Sequence, residues 1–361
     1  MKCEGAKTDR LIERRKSDHI EICAREELMA GYSYWDDVRL IHNALPEVDL
    51  ADIDTSTVLF GRKLDAPIII SAMTGGYGKA EEINRTLAEV AEHFGIGLGV
   101  GSQRAALENP ELVRTYSVIR EFEVPLRIGN LGAPQLVGQG SKVPLDVDAG
   151  RAAMGMVDAH ILAIHLNYLQ EVVQPEGDTQ ARGCLEAISE FSSSLPVLAK
   201  ETGAGISRST ALKLKQVGVK GIDVGGMGGT SFSAVEYFRA KSAGDATRIN
   251  LGETFWDWGI PTPVSIQLST VGVPLIATGG VRSGLDVARA IAIGSSAAGL
   301  AGRLLPAALE GKDSLMLEMG TMIQELKTAM FLVGAENIEQ LSATHALLTG
   351  RSREWLNEVT E

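Results

Sequence analysis

The sequence predicts an α/β chain of 361 residues closed into a (β/α)8 TIM barrel, with an N-terminal extension and an insertion after strand six. Three observations predict it. Eight short apolar runs alternate with helical patterns, and their β-branched and small residues suit strands buried on both faces. Glycine is abundant, at 40 residues, as frequent tight turns require. Polar and glycine residues gather directly after nearly every apolar run, at the end where barrels carry their chemistry.

The eight strands are expected at 67–72, 96–100, 126–128, 161–164, 197–199, 219–224, 275–277 and 297–300. Residues 80–94 place Ile83, Leu87, Val90, Ala91 and Phe94 at a helical period. Residues 110–122 read as a helix that Asn109 caps, with Pro110 at its first position. Residues 207–217 open on Ser207 and Ser209 as candidate caps. The strand at 275–277 runs through Gly279-Gly280 into a helix over 283–293. Residues 226–262 break the alternation as an insertion, with a helix over 233–241, then a polar stretch. The whole chain, 1–361, reads as a single domain, with barrel elements over 66–303. Residues 1–60 form an arm outside the alternation, and 304–361 are helical without further strands.

Composition narrows the function. The formal net charge of −12 argues against a nucleic-acid partner. No apolar run is long enough to span a membrane. Residues 1–19 are charged and lack the apolar core of a signal peptide. Cys3, Cys23 and Cys184 are too widely spaced for a disulfide framework or a zinc site, which suits a reducing cytoplasm. An anionic ligand would therefore need cations gathered locally, and Arg15, Lys16, Arg104, Lys200 and Arg282 are the candidates.

The strand ends carry the specific signals. Gly279-Gly280-Val281-Arg282 and Ala301-Gly302-Arg303 follow strands seven and eight as phosphate-type turns. Gly225-Gly226-Met227-Gly228-Gly229-Thr230 follows strand six. Lys200 ends strand five, where it either pairs with a carboxylate such as Glu201 or holds an anionic ligand or flavin edge. Glu171 can be a hard-cation ligand or an ordinary helix-start carboxylate, and spacing alone favours the second. His165 alone reads as a satisfied rim histidine. The basic run Arg14-Arg15-Lys16 is either a solvated arm or a lid over an anion, and sequence alone favours the arm.

In these strand-end stretches the chain resembles the FMN-dependent type 2 isopentenyl-diphosphate delta-isomerases. The resemblance runs from Arg15-Lys16-Ser17-Asp18-His19 to Ala301-Gly302-Arg303. It is carried by Ser71-Ala72-Met73-Thr74-Gly75-Gly76, Gly101-Ser102-Gln103-Arg104, Gly129-Asn130-Leu131-Gly132, Lys200-Glu201-Thr202-Gly203 and Gly228-Gly229-Thr230-Ser231. Most specific is His165-Leu166-Asn167-Tyr168-Leu169-Gln170-Glu171 with Gln174-Pro175-Glu176-Gly177-Asp178.

The resemblance implies isomerisation of isopentenyl diphosphate to dimethylallyl diphosphate, with reduced FMN as an acid–base cofactor, Mg²⁺ on the diphosphate and NADPH as reductant. It implies FMN contacts at Ala72, Met73, Thr74, Ser102, Asn130, Lys200 and Thr230. The FMN phosphate would lie at Gly280, Val281, Arg282, Ala301 and Gly302. Substrate contacts would come from Arg15, Lys16, His19, Ser102, Gln103, Arg104, His165, Asn167 and Gln170, and Glu171 would be the metal ligand. Gln170, Glu236 and His165 are the implied catalytic residues. A homotetramer or homooctamer is implied too. Phe232 stands where the family often has tryptophan, and Gly225 where a serine sometimes meets the flavin. The competing readings are an FMN barrel of the 2-hydroxy-acid oxidase type and a flavin-binding protein without turnover. The first leaves the basic N-terminal motif unexplained. The second leaves His165, Asn167, Gln170 and Glu171 without a purpose.

Overall fold

Residues 18–360 are described by a computed structural model. Its eight parallel strands are β1 (Ile68–Ile70), β2 (Gly97–Gly99), β3 (Leu126–Gly132), β4 (Ile161–Leu166), β5 (Val197–Glu201), β6 (Gly221–Asp223), β7 (Leu275–Thr278) and β8 (Ala297–Leu300). They close in sequence order, with β8 pairing β1, so the expected TIM barrel is the fold.

Strand periodicity divides the core in two. Ile69, Leu126, Ile128, Ile161, Leu198 and Ile276 fill the barrel interior. Their neighbours Ile68, Ile70, Leu162, Ile164, Val197, Ala199, Leu275 and Ala277 pack outward against the helices. Most of the strands are therefore apolar on both faces. A hairpin of Thr57–Leu59 and Arg62–Leu64 pushes Leu59 and Leu64 into the interior cluster. It plugs the end away from the polar strand ends.

Several expected caps are present. Asn109 accepts from Glu111 N–H at 3.1 Å. Ser207 accepts from Thr210 N–H at 3.3 Å, and Ser283, expected only as the start of a helix, also caps Gly284–Ala292 by accepting from Asp286 N–H at 3.2 Å. The helix expected over 110–122 is instead three short pieces, Pro110–Leu112, Arg114–Ser117 and Val118–Glu121. The Thr115 hydroxyl donates to Leu112 O at 2.6 Å and accepts from Gly76 N–H at 2.9 Å. That back-bond competes with helix hydrogen bonding and ties the segment to the loop after β1.

Two other expectations are corrected. The insertion holds two α-helices, Phe232–Ala243 and Ala246–Thr254, because Gly244 adopts a left-handed turn (φ 72°) and Asp245 caps a new helix. The C-terminal region is not purely helical. Ala346–Leu348 pairs antiparallel with Val38–Leu40. That pairing draws part of the expected arm onto the barrel. Trp35 is buried, and its indole N–H donates to Gly279 O at 2.9 Å. Asp37 accepts from Tyr32 Oη–H at 2.7 Å and Ser352 N–H at 2.9 Å. Among the described residues no helix is long and apolar enough to cross a membrane.

Candidate functional site

Strand register places Gly132, His165, Lys200 and Asp223 side by side on β3 to β6. Lys200 and Asp223 are direct cross-strand partners. The Lys200 ammonium pairs with Asp223 Oδ2 at 3.1 Å and donates to Glu201 O at 3.0 Å, so its carboxylate partner is Asp223 and not Glu201. Alternation along β5 explains the correction, because Glu201 points away from the face that Lys200 occupies.

Glu201 does different work. Its Oε2 accepts from the N–H groups of Thr202 and Gly203 at 2.6 Å, Ala204 at 2.5 Å and Gly205 at 3.2 Å. One buried carboxylate thus organises the loop after β5. Burial pushes its carboxyl up to about 7, against the pull of those donors. A carboxyl raised in the fold binds a proton that the unfolded chain has already released between about pH 4.5 and 7. Its contribution to stability is therefore whole below that window and fades as pH rises through it, by up to about 1.4 kcal/mol per pH unit. Glu201→Gln is expected to flatten this segment of the profile, read by urea unfolding at pH 5, 6 and 7.

Asn130 sits on β3. Its amide N–H donates to Val100 O at 3.0 Å, and its Oδ1 faces His165 Nδ1 at 2.8 Å. The carbonyl partner orients the Asn130 amide and so puts the imidazole proton on Nδ1. The loop after β1 is pinned from behind. Asn84 donates to Thr115 O at 2.7 Å, and the Tyr116 hydroxyl donates to Ser102 O at 2.5 Å. A β-carbon at Gly75 would lie 2.0 Å from the Tyr116 ring. Asn84, Thr115 and Tyr116 carried no signal in sequence, since each reads as an ordinary helical residue.

The loops after β6, β7 and β8 meet at the mouth. A β-carbon at Gly229 would lie 2.6 Å from Gly280 N, and one at Gly302 2.8 Å from the Thr230 hydroxyl. Bare backbone thus faces bare backbone, as an anion cradle requires. Gly279 O accepts from both Trp35 and Thr262 Oγ1–H, the latter at 2.9 Å.

One cavity spans the strand ends. Its wall includes Ala72, Met73, Thr74, Ser102, Asn130, Lys200, Thr230, Val281, Ala301 and Gly302 from the expected cofactor set. Its wall also includes His19, Arg104, His165, Asn167, Gln170 and Glu171 from the expected substrate and metal set. Gly225 and Phe232, the two departures from the family pattern, line it too. The structure does not bring Gln103, Gly280, Arg282 or Glu236 to this wall. Gln103 is buried, donating to Ala153 O at 2.8 Å and accepting from Asn130 N–H at 2.8 Å. The Arg282 guanidinium pairs with Asp36 at 2.8 Å and Asp286 at 2.9 Å. Arg15 and Lys16 lie outside the described residues.

Glu236 lies one step behind the wall. It pairs with His19 Nε2 at 2.9 Å and Arg239 Nη1 at 2.6 Å, and Arg239 continues to Glu176 at 2.9 Å. Burial raises the Glu236 carboxyl, but the His19 and Arg239 contacts outweigh it and hold the group below the usual glutamate range. His19 belongs to a helical stretch over 18–25, and its ring meets Phe232 edge-on at 6.4 Å. Sequence reasoning missed Asp223, Asp178 and Gln135 as members of the site. Asp223 within the apolar run at 219–224 and Asp178 within the family-like stretch Gln174-Pro175-Glu176-Gly177-Asp178 were the available signals.

A closed barrel with an anion cradle after its last strands and a lysine at the end of β5 defines a class of cofactor-binding barrel enzymes. The family profile described as FMN-dependent dehydrogenase matches residues 9–114 and 185–348. Solved mandelate oxidase structures share the fold. One carrying a C4a-OH-FMN adduct is 18% identical, has a TM-score of 0.59, and the match covers 93% of this chain and 98% of that one. Among curated relatives, the isopentenyl-diphosphate delta-isomerase of Archaeoglobus fulgidus is 48% identical over 95% of this chain and 98% of its own. That of Thermoplasma volcanium is 46% identical over 96% and 99%. The chain belongs to the isopentenyl-diphosphate delta-isomerase family of enzymes.

Proposed function

We propose that the protein interconverts isopentenyl diphosphate and dimethylallyl diphosphate, using reduced FMN and Mg²⁺, with NADPH as the reductant. The observation that carries this reading is one cavity with two chemically distinct walls. One is the glycine cradle with Lys200. The other is His165, Asn167, Gln170 and Glu171 with Arg104.

The residues fit both groups. Gly229, Gly279 and Gly302 let the loops after β6, β7 and β8 approach closely, since a β-carbon at each would strike the neighbouring loop, and backbone N–H groups of that junction would hold the FMN phosphate. Lys200, Thr74, Ser102 and Asn130 would hold the flavin ring. Among the described residues, buried Asn167 Oδ1 and Gln174 Oε1 have no hydrogen-bond partner, while both amide nitrogens donate to the Glu171 carboxylate. A carboxylate bordered by amide oxygens suits an oxygen-seeking cation. No cluster of three or more metal-ligating side chains stands among the described residues. The substrate's diphosphate would therefore complete the Mg²⁺ shell, with Arg104 balancing charge.

Reduced FMN would supply an acid–base group beside the substrate carbon, without net oxidation. An alkene is a very weak base, so proton transfer needs a shielded and oriented pocket. Phe232 and the stretch over 18–25 cover the cavity. Gln170 accepts from Asn167 Nδ2–H at 3.3 Å, which orients its amide. Glu236 is 1% exposed, so a proton passing between it and the cavity would travel through His19.

Proton NMR tests the reading. The FMN-loaded protein is incubated anaerobically with isopentenyl diphosphate, Mg²⁺ and substoichiometric NADPH. Dimethylallyl diphosphate accumulating over many turnovers per reductant supports it. Flavin reduction with the substrate untouched would overturn it and favour an oxidase-type reaction.

A further inference from the structure

Asp178 joins the two halves of the proposed diphosphate site without touching the cavity. The residue is 6% exposed. One carboxylate oxygen receives Arg104 Nη1 at 2.9 Å and Gln135 Nε2 at 3.2 Å, and the other receives Lys142 Nζ at 2.7 Å. Its own backbone N–H donates to Glu171 Oε2 at 2.7 Å. The turn that permits this is tight, because a β-carbon at Gly177 would lie 1.6 Å from Glu171 O. Asp178 therefore holds the cation that would meet the diphosphate and, through its backbone, the carboxylate that would meet Mg²⁺.

The alternatives weigh less. A surface salt bridge would hold Arg104 only loosely, since exposed pairs are screened and pay side-chain entropy. This pair is mostly shielded, with Arg104 15% and Asp178 7% exposed by side chain. A competitor role, in which Asp178 withholds Arg104 from the ligand, would leave the guanidinium spent. Among the described residues Arg104 Nη1 is anchored on Asp178 and Nε lies 3.7 Å from Glu108, while Nη2 donates no hydrogen bond to a carboxylate.

We infer that Asp178 is a positioning residue that preorganises Arg104 and Glu171 together for a Mg²⁺–diphosphate group. This inference rests on the isomerase reading. Fixing a long cationic side chain before the ligand arrives removes part of the ordering cost of binding. Truncating that anchor weakens the diphosphate half of the substrate and leaves the flavin half unchanged.

Asp178→Asn keeps the volume and the backbone N–H while removing the charge. Inorganic pyrophosphate with Mg²⁺ is titrated into FMN-loaded protein by calorimetry, and FMN affinity is measured by absorbance. The expected result is a fall in pyrophosphate affinity of about tenfold, a matching rise in substrate KM with kcat within about threefold, and unchanged FMN affinity. Arg104→Gln and the double variant should weaken pyrophosphate binding to a similar extent, because the two residues act as one unit. Should the asparagine variant fail to fold, Asp178→Glu gives the same readout, with an intermediate loss expected from the displaced anchor. Pyrophosphate affinity equal to or above wild type in a folded variant would overturn the inference alone. A wild-type protein that ignores pyrophosphate would overturn the inference and the isomerase reading together.

Discussion

Lys200→Met is expected to destabilise the protein by about 3–5 kcal/mol and to abolish flavin retention. Lys200 is 8% exposed and its ammonium pairs with Asp223, itself 3% exposed. Removing one partner of a buried pair leaves an uncompensated charge, which costs far more than the pair contributes. Asp223 would be left buried and charged, with the Gly225 N–H at 3.2 Å as its remaining donor among the described residues. Denaturant unfolding followed by circular dichroism checks the magnitude, and absorbance titration checks FMN uptake. The double variant Lys200→Met with Asp223→Asn separates the two effects. It should recover most of the stability, because the orphaned charge is gone, and still bind FMN poorly. Recovery of both would mean that Lys200 serves the fold alone.

Gly280→Ala is expected to weaken FMN binding by at least about 100-fold while leaving the barrel folded. Gly280 has φ of 70°, where a side chain is strained by about 1–2 kcal/mol. A β-carbon there would also lie 2.4 Å from Gly228 O, a backbone atom of the neighbouring turn. The loops after β6 and β7 would have to part, and the cradle with them. Titration of apoprotein with FMN reads the loss. Gly244, at a similar positive φ (72°) but with open space around it, is the matched control for backbone strain. If Gly280→Ala binds FMN like the wild type, the phosphate does not sit in that cradle.

The eight strands were legible because most must be apolar on both faces, which leaves runs that no amphipathic helix imitates. The glycine turns were legible for a related reason, since close backbone approach admits no other residue. Where the outcome depended on pairing between distant segments, sequence said little. Ala346–Leu348 is three residues long, and its partner lies some three hundred residues earlier in the chain. The carboxylate offered as one option for Lys200 was its sequence neighbour Glu201, while the register gave it a cross-strand one. The segment over 110–122 lost its helix to a hydroxyl whose second partner, Gly76, belongs to another loop. Arg282 shows the same limit. Its position in a phosphate-type turn was readable, whereas Asp36 and Asp286, which hold its guanidinium, became neighbours only on folding.

The hairpin that seals the barrel's far end fixes an order of events. With Leu59 and Leu64 filling that end, the cavity formed by the described residues opens among the strand-end loops. Lys200, Ser71 and Thr278 form its floor, whereas His19, Ile20 and Phe232 stand at its roof. A group that rests on the floor must enter before one that rests against the roof, and cannot leave while the second is bound. On the proposed assignment, with flavin on the floor and substrate against the roof, the flavin would load first and the substrate alone would exchange through the mouth.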